Sequence, residues 1–321
     1  MVLPAEFGLI ARHFRPLAGE GSLGLADDAA VFVPPAGRAL VVAADAMVAG
    51  VHFLPDDPAE TVGRKLLRVN LSDLAAMGAV PFGYLMTVSA PRGTPDAWFA
   101  GFAAGLALDQ AEFGVGLLGG DTTSTPGPVT LSLTVLGSVV PGGAVLRSGA
   151  RAGDGVWVSG TIGDGALGLD VLQGRVSDAS GFLVGRYRVP QPRVGLGGRL
   201  HGVAGAAMDV SDGLVQDLGH LCRASGVGAV LEAERVPLSG AGRAVVAAMG
   251  AGAGMARCLG GGDDYELLMA VPKGREAALV EAAAACGVGV TRVGRFVAGE
   301  GVRVMMGGEE MAVARGGWSH F

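Results

Sequence analysis

The chain has 321 residues, with 24 Lys+Arg against 30 Asp+Glu, a net charge of −6 and a sequence pI near 5.4. That length predicts two domains, and the lack of any basic tract excludes a protein that grips a nucleic-acid backbone. Apolar content is 50% and mean hydropathy +0.46, yet the longest charge-free stretch, Thr122–Leu146, is broken by three prolines and four glycines. Its apolar part, Val129–Val140, is shorter than the about 20 residues a bilayer requires, so no membrane association is expected. Glu6, Arg12 and Arg15 interrupt the first sixteen residues, which leaves no signal-peptide core there. Three widely spaced cysteines (Cys222, Cys258, Cys286) read as buried apolar side chains in a reducing, cytoplasmic setting.

In chain order, Glu6–Phe14 has the spacing of a short amphipathic helix, and Ala29–Pro34 and Ala39–Asp45 are β-rich. Val62, Leu66, Leu67, Leu71 and Leu74 predict a helix over Pro58–Met77 that stops at Gly78. A strand (Phe82–Ser89), a helix (Pro95–Phe113), a short buried strand (Gly116–Leu118) and a long strand (Val129–Val140) follow. The Gly-, Arg- and Pro-rich segment Pro141–Gly155 is the candidate boundary, dividing the chain into residues 1–146 and 147–321. Beyond it, the pattern predicts strand Gly155–Ser159, helix Asp164–Leu172 with more helix to Tyr187, and helix Arg193–Val203. Strand Ala206–Val210, helix Gly213–Ala224, strand Ala229–Glu232 and a helix over Gly242–Met249 come next. Strand Glu266–Val271, helix Lys273–Cys286 and short strands from Thr291 to Ala314 close the chain. The mixture of βα units and antiparallel runs indicates α+β: two α/β-type domains, an N-terminal mixed sheet with helices and a C-terminal α+β sandwich.

Only two of the cations are lysines, and neither Lys65 nor Lys273 follows a P-loop glycine pattern, which excludes a Walker A site. GxGxxG occurs at Gly19, Gly114 and Gly163. The first precedes a β-rich run, the second opens a strand, and the third places Asp164 where a pyrophosphate would lie, so none reads as a dinucleotide site. Asn70-Leu-Ser-Asp and Asp209-Val-Ser-Asp form an internal echo, each read as Ser-Asp at a helix start.

Asp outnumbers Glu by 18 to 12. Asp28, Asp45, Asp73, Asp121, Asp209 and Asp212 each stand beside or at the end of an apolar run. Singly each reads as a turn or cap; together, at strand ends on a shared edge, they can converge in one cleft. Gathered carboxylates repel, and a hard divalent cation such as Mg²⁺ removes that penalty, which points to chemistry on several phosphates. His52, close after Asp45, is placed for substrate contact, whereas His13, His201 and His220 read as ordinary helical positions. Trp318, in a strand-free tail, can lay an aromatic plane over a ligand or simply pack.

These residues resemble the thiamine-monophosphate kinase family, a branch of the superfamily that also holds aminoimidazole ribonucleotide synthetase and selenophosphate synthetase. The resemblance rests on Asp27-Asp-Ala-Ala, Asp45 through His52-Phe, Val69-Asn-Leu-Ser-Asp-Leu-Ala-Ala-Met-Gly-Ala and Gly119-Gly-Asp-Thr-Thr. It continues through Arg147-Ser-Gly-Ala, Asp209-Val-Ser-Asp-Gly-Leu, Gly261-Gly-Asp-Asp-Tyr-Glu-Leu and Gly317-Trp-Ser-His-Phe, in the family's order across nearly the whole chain. It implies an ATP-dependent kinase making thiamine diphosphate, the last step in forming that cofactor, and a homodimer paired through its N-terminal sheets with active sites in the cleft between domains. It implies several Mg²⁺ ions on Asp28, Asp45, Asp73, Asp121, Asp209 and Asp212, of which Asp28, Asp73, Asp121 and Asp212 take the catalytic role. It places Gly120, Asp121, Arg147 and Ser211 around ATP, and His52, Asp263 and Trp318 on thiamine monophosphate.

The chain departs from the family pattern at Ala43 and Ala44, where hydroxyl residues are usual, and at Ala103, where an aromatic near the ATP base is usual. Asp263 stands for the usual Glu, and Ala26 for the usual Gly. Two alternatives stay open: another ATP-using enzyme of the superfamily, or a non-catalytic nucleotide-binding regulator.

Overall fold

A computed structural model describes residues 5–313 and 316–319 of the protein. It divides into two compact units, Met1–Leu74 with Ala79–Gly142, and Gly143–Phe321 with Ala75–Gly78.

The first unit contains α1 (Ala5–Leu9), β1 (Ala39–Val48), α2 (Ala59–Ala76), β2 (Val80–Pro91), α3 (Asp96–Phe113), β3 (Gly116–Thr125) and β4 (Thr130–Val139). Its four strands lie in the order β1-β4-β2-β3, antiparallel except for the β2–β3 pair. The two-residue period of a strand separates the faces. Leu131, Leu133 and Val135 of β4 and Tyr84, Met86 and Val88 of β2 are buried, whereas Leu40, Val42, Val80 and Leu85 are exposed. In register, Leu40 and Val80 flank Ser138 from either side, Val42 stands beside Leu136, and Leu85 is in row with Thr134 and Ala44, so the exposed apolar residues share one face. Helices α2 and α3 are tied by Arg68, fully buried, which donates to both oxygens of the equally buried Asp109 at 2.7 and 2.8 Å.

The second unit contains β5 (Gly155–Ser159), α4 (Asp164–Leu172), α5 (Phe182–Arg188), α6 (Val194–Gly197), β6 (Ala206–Asp209), α7 (Leu214–Ser225) and β7 (Gly228–Glu232). It continues with α8 (Gly240–Met249), α9 (Ala251–Leu259), β8 (Leu267–Val271), α10 (Glu276–Ala284), β9 (Val290–Val297), β10 (Val302–Met306) and β11 (Glu309–Glu310). The seven strands form one mixed sheet in the order β11-β10-β7-β9-β5-β8-β6. Alternation along β8 feeds two cores: Leu268 and Ala270 join the one that holds Leu167, Leu218 and Met255, while Leu267, Met269 and Val271 pack with Leu196, Leu279 and Ala283. Helices therefore cover both faces. Among the described residues no helix is long and apolar enough to cross a membrane.

Several expectations need correction. Ala29–Pro34 forms no strand, because its alternating Val31 and Val33 lie 70% and 92% exposed with no neighbouring strand, so the first GxGxxG precedes no strand either. Glu6–Phe14 begins as α-helix but passes into a π turn at Ile10–Phe14. Ser72 and Asp73 lie in the last turns of α2, not at a helix start, so the echo with Ser211-Asp212 is one of sequence only. Asp164 turns inward, fully buried, bonding Thr161 and Ser239. Cys222 and Cys258 are buried as expected, and Cys286 is half-buried. Ala314, His320 and Phe321, included in the expectations for the closing strands and tail, lie outside the described residues.

Candidate active site

In the first unit the loop before β1 is anchored to the edge of the sheet. The Gly19 N–H donates to the Leu117 carbonyl at 2.8 Å, and the Val31 N–H donates to the Gly21 carbonyl at 2.8 Å. This closes a loop that carries Asp27 and Asp28 over a cavity of about 460 Å³, whose wall also includes Gly120 and Asp121 of β3 and the apolar Phe14, Phe32, Leu85 and Leu118. Gly120 has no room for a side chain: a Cβ there would lie 1.8 Å from the Met86 carbonyl oxygen. Asp121 is exposed and its Oδ1 accepts the Thr122 N–H at 2.9 Å, which fixes its rotamer.

Asp45 lies within β1 and Asp121 within β3, not at strand ends, and β4 and β2 separate those strands. The row Asp45–Leu133–Met86–Gly120 runs across the sheet, and Asp121 belongs to the adjacent row with Thr87, Ser132 and Ala46. Neighbouring rows point to opposite faces. Asp45 therefore belongs with α2, where Asn70 Oδ1 accepts its N–H at 3.0 Å and Asp73 follows one turn on. His52 stands just past the end of β1. Its Nδ1 accepts the Val48 N–H at 3.0 Å, so Nε2 carries the proton, and Lys65 Nζ holds its carbonyl at 3.0 Å. The unit thus brings Asp28 and Asp121 to the cavity, while Asp45 lies against Asn70 of α2, the helix that carries Asp73, and His52 lies past the end of β1. Ala43 and Ala44 leave only backbone donors and acceptors beside Asp45, and Ala103 is buried on α3 away from the cavity wall.

In the second unit Asp209 ends β6, buried, and the chain turns through Ser211 and Asp212 into α7. Asp217, one turn into the helix, reaches back so that its Oδ2 accepts the N–H groups of Ser211, Asp212 and Gly213 at 3.1, 3.2 and 3.1 Å. The Gly261–Glu266 loop lies alongside, its Asp263 and Tyr265 N–H groups donating to the Ser211 and Val210 carbonyls, each at 2.8 Å. Asp263 and Tyr265 hold φ of 62° and 52°, a left-handed conformation unusual for residues with a Cβ and typical of functional loops. The Tyr265 hydroxyl donates to Asp263 Oδ1 at 3.3 Å. Trp318, half-exposed, docks its N–H on the Asp212 carbonyl at 3.0 Å. Asp209, Ser211, Asp212, Asp263 and Trp318 thus meet around one turn.

Arg147 is exposed, and its segment is anchored at the far end of α7, where Ser225 Oγ accepts the Gly149 and Ala150 N–H groups at 3.2 and 3.1 Å and donates to the Arg147 carbonyl. Midway along α7, His220 Nδ1 accepts from Arg223 at 2.8 Å; burial, then the Arg223 and Arg147 charges, holds its imidazole below the usual pKa. Among the described residues, Asp212, Asp217 and His220 are the grouping of three metal-capable side chains with ligand atoms within 4.8 Å of one another.

Asp217 escaped sequence reasoning because nothing in Val-Gln-Asp-Leu marks that carboxylate as buried. Burial, and next the Asp209 charge, push its pKa up from 3.8 to about 8 against the pull of backbone hydrogen bonds. A carboxyl raised on folding gives stability that is complete below its unfolded pKa and is lost as pH rises through the folded value. The metal-free protein should therefore lose stability between about pH 4 and pH 8 through this group. Asp217→Asn keeps an oxygen for the three N–H groups and removes the titration, so the difference in urea midpoint between about pH 5 and pH 8.5 in a chelator should shrink. An unchanged difference would refute the assignment.

Two family models match the chain: AIR synthase related protein, N-terminal domain, over residues 26–139, and the corresponding C-terminal domain over residues 151–307. Two α/β units with mixed sheets and these motifs define an AIR synthase related protein. The chain is 48% identical over 320 residues to thiamine-monophosphate kinase of Caulobacter vibrioides, spanning 99% of this chain and 91% of that one. Among solved structures, thiamine-monophosphate kinase from Stenotrophomonas maltophilia matches with TM-score 0.84 at 40% identity, covering 96% and 98% of the two chains. AaThiL complexed with AMPPCP and TMP matches with TM-score 0.79 at 31% identity, covering 100% and 99%. The chain belongs to the thiamine-monophosphate kinase family.

Proposed function

We propose that this protein transfers the γ-phosphoryl group of ATP to the phosphate of thiamine monophosphate, releasing ADP and thiamine diphosphate. The observation that carries this reading is the 48% identity to a thiamine-monophosphate kinase along 99% of the chain. The acceptor needs no general base, since a phosphate monoester loses its second proton near pH 6. The obstacle is charge: two anions brought to about 4 Å repel by roughly 4 kcal/mol per unit pair at an effective dielectric of 20.

The donor set fits Mg²⁺. Asp28, Asp45, Asp73, Asp121, Asp209 and Asp212 offer hard oxygens, and the Asp217 carboxyl already registers the repulsion of Asp209 and Asp212 that a cation would relieve. Ions held by these residues would neutralise phosphate charge. In this reading Gly120 and Asp121, on the cavity of the first unit, are nucleotide residues, and so are Ser211 and Arg147 of the second unit, the Arg147 guanidinium adding charge that no deprotonation removes. His52 presents an Nε2–H for the substrate phosphate, while Asp263 and Trp318 offer an anion and an aromatic face to the cationic thiazolium ring.

The reading includes a homodimer in the cytoplasm. The exposed face of the four-stranded sheet, with Leu40, Val42, Val80 and Leu85, supports pairing through that sheet. Following thiamine diphosphate formation from ATP and thiamine monophosphate, with Mg²⁺ and with a chelator, tests the reaction. Mg²⁺-dependent product is expected. ATP binding without turnover would leave a regulator instead, and faster turnover of an aminoimidazole precursor or selenide would assign another branch.

A further inference from the structure

Gln216 lies in the first turn of α7, four residues after Asp212. Its backbone N–H donates to the Gly316 carbonyl at 2.9 Å. Its side-chain Nε2 faces two acceptors, Asp212 Oδ2 at 3.2 Å and the Trp318 carbonyl oxygen at 2.7 Å. The Trp318 N–H closes the ring by donating to the Asp212 carbonyl at 3.0 Å. Both side-chain partners are acceptors, so the amide must present its nitrogen, and one NH₂ group carries the two hydrogens required. The tail lies flush on this side chain: a Cβ on Gly317 would stand 2.6 Å from Gln216 Cβ.

We propose that Gln216 is a positioning residue that fastens the Trp318 tail to the Asp212 carboxylate, so that the substrate platform and the metal-facing acid are set by one amide group. The inference rests on the reading of Trp318 and Asp212 given above. Without a donor between them, a carboxylate oxygen and a carbonyl oxygen repel, and the tail loses this side-chain hydrogen bond to α7. The hydrogen bond to Asp212 also selects one orientation of that carboxylate, as outer-shell partners of metal ligands do.

Two variants separate this role from packing. Gln216→Met keeps the length and removes both donors; Gln216→Glu keeps the shape and turns donors into acceptors. A packing role ranks Glu as the milder change, whereas the donor role ranks it as the more severe. Hydrogen exchange of the C-terminal peptide, read by mass spectrometry on full-length ligand-free protein, should speed up about tenfold in Gln216→Met and more in Gln216→Glu. KM for thiamine monophosphate should rise about tenfold in Gln216→Met, and the Mg²⁺ concentration giving half-maximal rate should rise with it. Unchanged exchange overturns the proposal, and so does faster exchange with an unchanged KM. The exchange measurement needs no substrate, so a wild-type protein that forms no thiamine diphosphate would sink the proposed reaction while the exchange result still judged the attachment.

Discussion

On the proposed reading, Asp121→Asn and Asp212→Asn are each expected to lower kcat/KM for thiamine diphosphate formation by at least about 100-fold, because each removes a carboxylate that would hold a cation against the phosphate charge. Neither change should unfold the protein. Asp121 is exposed on β3, and an asparagine oxygen can still accept the Thr122 N–H that now bonds Oδ1 at 2.9 Å. Asp212 is half-exposed, its backbone carries the Trp318 contact, and its side-chain oxygen accepts from Gln216. The loss should therefore appear in turnover and in the Mg²⁺ concentration giving half-maximal rate, with melting temperatures close to wild type. Raising Mg²⁺ should recover part of the rate if the charge holds an ion. Near wild-type rates at limiting Mg²⁺ for both variants would end the account of these carboxylates as an ion clamp.

The long elements were readable from periodicity because burial follows it. The Val62-to-Leu74 spacing gave α2, and Gly155–Ser159 and Asp164–Leu172 emerge with the expected ends. Failures occur where packing overrides pattern. Arg193–Val203 has helical spacing, but only Val194–Gly197 is helical, and Gly197 there lies so close to Ala75 that a Cβ would stand 2.2 Å from its carbonyl oxygen. The glycine-rich Ala251–Leu259 hides a helix whose Met255, Cys258 and Leu259 complete the core. Within the candidate site, the exposed motif residues stood out by type and neighbourhood. Their supports did not: Gln216, Asp217 and Ser225 bond across 4 to 102 positions, and local sequence carries no trace of such pairings. The inference that all six aspartates end strands on a common edge also failed, since strand order, which puts β1 and β3 on opposite edges of their sheet, cannot be read from local pattern.

Glu266→Leu is expected to cost about 3–5 kcal/mol of unfolding free energy, the largest stability effect of any single change considered. Glu266 is fully buried at the entry to β8 and accepts from Arg186 at 3.0 Å, from Arg193 by a bidentate pair, and from Ser159 Oγ at 2.6 Å. Arg186 is buried itself, so leucine would take from Arg186 and Arg193 the carboxylate they share, and an arginine cannot escape by deprotonation. The damage should not stay local. Through its carbonyl Glu266 accepts the Val210 N–H at 2.8 Å, and the left-handed Asp263 and Tyr265 precede it. Their conformation costs free energy that the surrounding hydrogen bonds must over-determine. Loss of the anchor should therefore relax the Asp263 loop and raise KM for thiamine monophosphate even at temperatures where the variant stays folded. Urea unfolding read beside steady-state kinetics separates the two effects. A Glu266→Gln variant, which keeps one acceptor oxygen but not the charge, should fall between leucine and wild type in both. Wild-type stability in Glu266→Leu would mean that the two arginines find other partners, and the network would then be no anchor for the loop.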